Sequence, residues 1–172
     1  MFKITLIFLV GLIVSLPIYA QKPITGALGY KFGEIPPKEK IQNDLGDHCY
    51  VVIPSKKFRT FNMYCVNVTP ITGKIYAVML GYRTTEKDGE KEFRAALAIL
   101  ENIYGKFKQV VDRPLRINYM YASGKQSITI NYGRPNYDLE AVTIIYVDQD
   151  LYNQAQEEKR KQQIKQTDAS ML

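Results

Sequence analysis

The chain has 172 residues, with 23 lysines and arginines against 17 aspartates and glutamates, one histidine and two cysteines. A net charge of +6 is too modest to argue for nucleic acid and is enough to favour an acidic protein or an anionic envelope component as partner. One histidine and two cysteines sixteen positions apart match no zinc-ligand spacing, and no cofactor is implied.

The first element reads as a leader. MFKITLIFLVGLIVSLPIYAQ carries one charge, Lys3, then a mainly apolar run from Ile4 to Leu16, then Pro17 and the small Ala20. That layout predicts a Sec-type signal peptide over residues 1–20, cut after Ala20, and a periplasmic or extracellular destination. The rival is an uncleaved anchor, but the run falls short of the ~18–20 residues of a spanning helix, and no transmembrane span is expected in the mature chain. Losing Lys3 with the leader leaves 152 residues with 22 basic against 17 acidic, a charge of +5. The expected organisation is one domain over 21–152 and a charged, helical or disordered tail over 153–172.

In ITGALGYKFGE, Gly26, Gly29 and Gly33 have neither dinucleotide-loop nor P-loop spacing and predict an N-terminal strand with close backbone packing. Residues 34–47, with Pro36-Pro37, many charges and little apolar content, predict a surface connection. His48 and Cys49 follow at a strand start. Consecutive strand side chains point to opposite faces, which works against a thiolate-imidazole pair. Export makes a disulfide between Cys49 and Cys65 the expectation, through a hairpin turning near residue 57 that sets them opposite each other; two buried free thiols are the alternative.

FRTFNMYCVNV (58–68) and KIYAVMLGYRT (74–84) predict a β-hairpin closed by TPITG, with the second strand apolar on both faces and therefore central. From Glu90, the residues Phe93, Ala96, Leu97, Leu100, Ile103, Tyr104 and Phe107 recur at helical spacing; Thr85 or Asp88 is the expected cap and Gly105 the stop. LRINYMY, QSITINY and LEAVTIIYV predict three further strands, the middle one wet on the Ser127, Thr129 and Asn131 side. Asp148 and Asp150 read as helix-start residues rather than cation ligands, and the acidic run from Glu86 to Glu92 reads as a helix-start charge cluster. The last segment, from Ala155, holds few large apolar side chains, so it is expected to bury no face and to fray, with Glu157/Arg160 and Glu158/Lys161 in weak support. The fold class is α+β: an antiparallel β-sheet with one long helix packed across it and a C-terminal helix.

No catalytic or metal-binding constellation emerges. Two features could receive a partner. One is an aromatic face of Tyr119, Tyr121, Tyr132 and Tyr146, which could stack on sugars or peptide, against the alternative that these residues pack across the sheet. The other is a basic rim of Lys56, Lys57, Arg59, Lys106, Lys108, Arg113 and Arg116.

FRTFNMYCVNVTPITGKIYAV, the helix ending in IYGKF and the closing TIIYVDQDLYNQAQEE resemble small exported bacterial proteins without assigned function. The resemblance implies the same fold and location and carries no catalytic residue. The functional expectation is an exported, non-enzymatic protein that binds a protein or envelope component. The alternative is an inhibitor or immunity-type protein blocking an acidic enzyme or toxin, with residues 34–47 as its protruding loop; a hydrolase is the least supported class.

Overall fold

A computed structural model describes residues 22–85, 88–113, 116–136 and 139–170. The expected leader lies outside them. Ten strands and two α-helices occur among these residues. A small hairpin, β1 (Gly26–Ala27) and β2 (Tyr30–Lys31), precedes a 3-10 turn at Lys38–Lys40. Then come β3 (Ile41–Asp44), β4 (Cys49–Val52), β5 (Met63–Val68) and β6 (Ile75–Thr84), followed by α1 (Gly89–Tyr104). The second half holds β7 (Lys108–Arg113), β8 (Arg116–Ser123), β9 (Gln126–Asn136), β10 (Leu139–Asp148) and α2 (Gln149–Ser170).

Strands β3 to β10 form one antiparallel sheet in the order β3-β4-β5-β6-β10-β9-β8-β7. Two four-stranded meanders therefore meet at β6 and β10, which explains why β6 reads as apolar on both faces: it is central, with β5 and β10 as neighbours. The sheet carries one helix on each face. On the first face α1 packs over β10, β9 and β6 and closes the main core, in which Phe93, Ala96 and Leu100 meet Val78, Leu80, Ile130, Val142 and Ile144. On the second face α2 packs over β6 and β10, with Ala155 against Tyr76 and Ala77. A β-bulge between Asn67 and Val68 pairs Val68 with Ile75 and Asn67 with Ala77, leaving Tyr76 as the extra residue. The bulge re-aims the Tyr76 ring into the α2 layer, where it meets Tyr152 edge-on.

The loop chemistry follows the sequence at two of the turns where glycine takes a positive φ. Gly73 at φ 66° closes the β5–β6 hairpin, and Gly105 at φ 106° ends α1 with its N–H donating to the Glu101 carbonyl. The helix start differs from expectation. Asp88 stands at the N-cap position but makes no side-chain cap bond; its carboxylate instead accepts from the Tyr82 hydroxyl at 2.9 Å. The cap comes from 51 residues downstream: Glu140 on β10 accepts the Gly89 N–H at 2.7 Å. Asp148 does act as a cap, accepting the Leu151 N–H at 3.0 Å.

Three other expectations are corrected. Residues 58–62 form a turn, with the Phe61 N–H bonded to the Phe58 carbonyl, so the strand starts at Met63. Residues 34–47 are no protruding loop: Glu34 bonds to Ile75 and residues 41–44 are the sheet's edge strand. The tail does bury a face. Ala155 is fully buried and Glu158 is 6% exposed, and the Glu158 carboxylate binds Ile71, Thr72 and Gln154 rather than Lys161.

Candidate functional site

His48 and Cys49 sit where a turn enters β4. Asp47 and His48 both have left-handed backbones, at φ 50° and 62°. Strand register pairs Cys49 with Asn67 and Val51 with Cys65. The two cysteines are thus diagonal neighbours on one face, shifted by two residues from the expected opposition, and both are free thiols in the structure. Burial raises the Cys49 thiol above its ordinary range, and burial with the Cys49 neighbour pushes Cys65 up to about 11. A thiol held protonated is a poor nucleophile. Alkylation of Cys65 in the native fold is accordingly expected to be very slow at pH 7.5 and to accelerate as pH approaches 11, as mass spectrometry after timed iodoacetamide exposure would measure. Because its pKa is raised on folding, the thiol's contribution to stability is complete below the ordinary thiol range and fades as pH climbs toward 11.

The four tyrosines share one face, as expected, but that face belongs to α1. Tyr121, Tyr132 and Tyr146 are buried, and Phe93 and Tyr104 pack on them, with Tyr119 against Phe93. They are core, not a platform for ligand. Strand alternation sent their rings to the apolar side with Ile128 and Ile130, and the helix covers that side.

The basic rim divides. Arg59 is held by Glu92, with two guanidinium hydrogen bonds at 3.1 and 3.2 Å, and Thr60 donates to the same carboxylate. Lys106 pairs with Glu101. Lys108 and Arg113 are the first and last residues of β7, so they lie about 17 Å apart at ~3.4 Å per residue. Lys56 and Lys57 are exposed in the β4–β5 connection. Arg116, at the start of β8, faces a depression on the sheet.

That depression belongs to the face α2 covers only in part. Alternation on β10 is strict: Glu140, Val142, Ile144 and Tyr146 are buried under α1, whereas Ala141, Thr143 and Ile145 are half-exposed on the other side. Register lays out that second face in rows. The row Asn67, Ala77, Val147, Ser127 runs beneath α2. Beside it the row Val51, Cys65, Met79, Ile145, Thr129, Met120 crosses six strands, about 24 Å at ~4.8 Å per strand. Next comes a polar row, Asn118, Asn131, Thr143, ending at Gly81 and Met63. The border row is Arg116, Gly133, Ala141, Arg83, and neither arginine forms an ion pair with any other described residue.

Two hollows mark this face. One, about 350 Å³, lies between the sheet and the first turn of α2 and is lined by Met79, Ile145, Val147 and Tyr152 with Asn67. The other, about 270 Å³, is lined by Arg116, Asn118, Asn131 and Thr143 over Gly133 and Ala141. Asn118 is 7% exposed, yet its Oδ1 is buried with no hydrogen-bond partner among the described residues. The Asn67 Oδ1 is unpartnered in the same sense, while its Nδ2 donates to the Tyr76 hydroxyl. Arg134 also borders the second hollow, but its charge is engaged by Glu140 at 2.7 Å. Among the described residues no three His, Cys, Asp or Glu side chains gather as metal ligands would, and no helix is long and apolar enough to cross a membrane. Sequence reasoning missed Asn118 and Arg83 here. Both were available from alternation, since Asn118 shares parity with Arg116 and Met120, and Arg83 with Met79.

No protein-family model and no curated protein matches the chain.

Proposed function

We propose that this is an exported, non-enzymatic binding protein of the bacterial periplasm or cell exterior, and that an anionic envelope component docks on the sheet face beside α2. The observation that carries the reading is the row from Val51 to Met120, in which every member except the buried Cys65 is half-exposed or exposed, bounded by α2 on one side and on the other by Arg83 and Arg116, which form no ion pair with another described residue. An apolar strip with a cationic border suits a partner that buries a modest apolar surface and presents negative charge. The absence of catalysis is part of the proposal. It is supported by thiols whose surroundings disfavour the nucleophilic form.

The test is site-specific photo-cross-linking in the native host's envelope, with the cross-linker at Met120 on the proposed face or at the exposed Lys91 of α1. Adducts from Met120 alone, lost at high salt, are the expected result. Equal adducts from both positions, or none from Met120, would remove the docking face. One protein cross-linked in stoichiometric yield at high salt would support the inhibitor or immunity-type reading instead.

A further inference from the structure

We propose that the hollow formed by Arg116, Asn118, Asn131 and Thr143 binds a small oxyanion that also carries hydroxyl groups, the chemistry of a sugar acid. The inference deepens the docking reading and rests on it. It begins from Asn118. An amide oxygen removed from water without a donor is a standing cost to the fold, and native interiors leave few such groups. Asn118 sits directly opposite Asn131, and Asn131 opposite Thr143, so two carboxamides and a hydroxyl stand in one line at about 4.8 Å intervals. These three groups can each donate and accept, which suits a ligand bearing vicinal hydroxyls.

Charge decides the rest of the chemistry. Arg116 lies two residues before Asn118 on the same face, exposed, with its guanidinium fork free among the described residues. No carboxylate of the described residues lines the hollow, and Glu140 already neutralises Arg134. A planar carboxylate accepts two parallel hydrogen bonds from such a fork. Gly133 and Ala141 form a low floor between Arg116 and Arg83, letting a ring approach the backbone. The volume, about 270 Å³, is at the small end for ligand pockets and suits one monosaccharide unit. Inorganic phosphate would answer the guanidinium and leave the line of amides largely unused.

The measurement is an NMR titration of the full chain, following the side-chain amide resonances of Asn118 and Asn131. D-glucuronate is expected to shift both saturably with a Kd below about 10 mM, while glucose and inorganic phosphate bind about tenfold or more weakly. Arg116→Gln, a change at an exposed side chain, should weaken glucuronate about tenfold and leave the fold intact. Absence of saturable shifts at these amides, phosphate matching glucuronate, or unchanged affinity in R116Q would each overturn the site. If glucuronate fails while cross-linking from Met120 persists, the sugar-acid site falls and the docking face stands; if both fail, both fall.

Discussion

Glu140→Ala is expected to cost about 2–4 kcal/mol, the loss of a buried carboxylate that satisfies a helix N–H and a buried phenol and pairs with a partly exposed guanidinium. Glu140 is 4% exposed and its two oxygens receive three elements: the Gly89 N–H at the start of α1, the Tyr132 hydroxyl at 3.1 Å and the Arg134 guanidinium at 2.7 Å. Alanine leaves a helix N–H and a buried phenol without an acceptor in the same place. For a chain of this length each kilocalorie lowers the melting temperature by roughly 2–4 °C, so the drop should be on the order of 10 °C. Glu140→Gln keeps a carbonyl for Gly89 but turns an amide N–H₂ toward Arg134 or Tyr132, and should fall between. Asp88→Ala is the informative comparison. Were Asp88 the cap, its loss would weigh as much as a lost cap usually does and Glu140 would matter little at the helix start; the geometry requires the reverse order. Chemical denaturation of the three variants decides it, and a Glu140→Ala cost below about 1 kcal/mol would refute the long-range cap.

How much of this was legible beforehand depends on the range of the interaction that decides each feature. Helix α1, the β5–β6 hairpin and strands β8 to β10 were written in local periodicity, because Phe93, Ala96, Leu97 and Leu100 recur at helical steps and Ile128, Ile130 and Tyr132 at strand steps. The edge strands β3 and β7 were not, since IQND and KQVVDR have almost no buried residues to alternate. Edges are favoured by polar and charged residues for the same reason they escape a hydrophobic pattern. The Glu140 cap had no local signal at all. The wet side of β9 was legible in Ser127, Thr129 and Asn131, and that side is the candidate face. What stayed hidden was the company those residues keep: register across β8, β9 and β10 places Asn118 beside Asn131, and register is fixed by the assembled sheet. The tyrosines failed as a site for a related reason, because strand alternation assigns them a face while only the packing of α1 says which face is covered.

Glu158→Ala should release α2 from the sheet at a cost of about 2–4 kcal/mol, the penalty of stranding hydrogen-bonding groups around a buried carboxylate. The Glu158 oxygens accept the backbone N–H groups of Ile71 at 2.6 Å and Thr72 at 3.3 Å, the Thr72 hydroxyl at 3.2 Å and the Gln154 amide at 2.7 Å. This one side chain ties the third turn of α2 to the β5–β6 hairpin loop, where Thr69 and Gly73 complete the turn. Burial alone would raise its pKa, but the hydrogen bonds from Gln154, Ile71 and Thr72 outweigh burial and hold the carboxyl below the ordinary glutamate range. A carboxyl depressed on folding stabilises fully above its unfolded pKa, near 4.3, and that contribution disappears as pH falls through the lower folded value. Acidification from pH 5 toward pH 3 should therefore loosen α2, seen as lower protection factors, with exchange corrected for its intrinsic pH dependence, in residues 151–162. Glu158→Gln keeps an acceptor for Ile71 without the titrating charge, so it should be less stable than the parent at pH 7 and should lose this part of the acid dependence. Equal exchange rates in α2 for parent and Glu158→Ala would mean that Ala155 and Leu151 dock the helix unaided, since those are the apolar side chains that remain on its buried stripe.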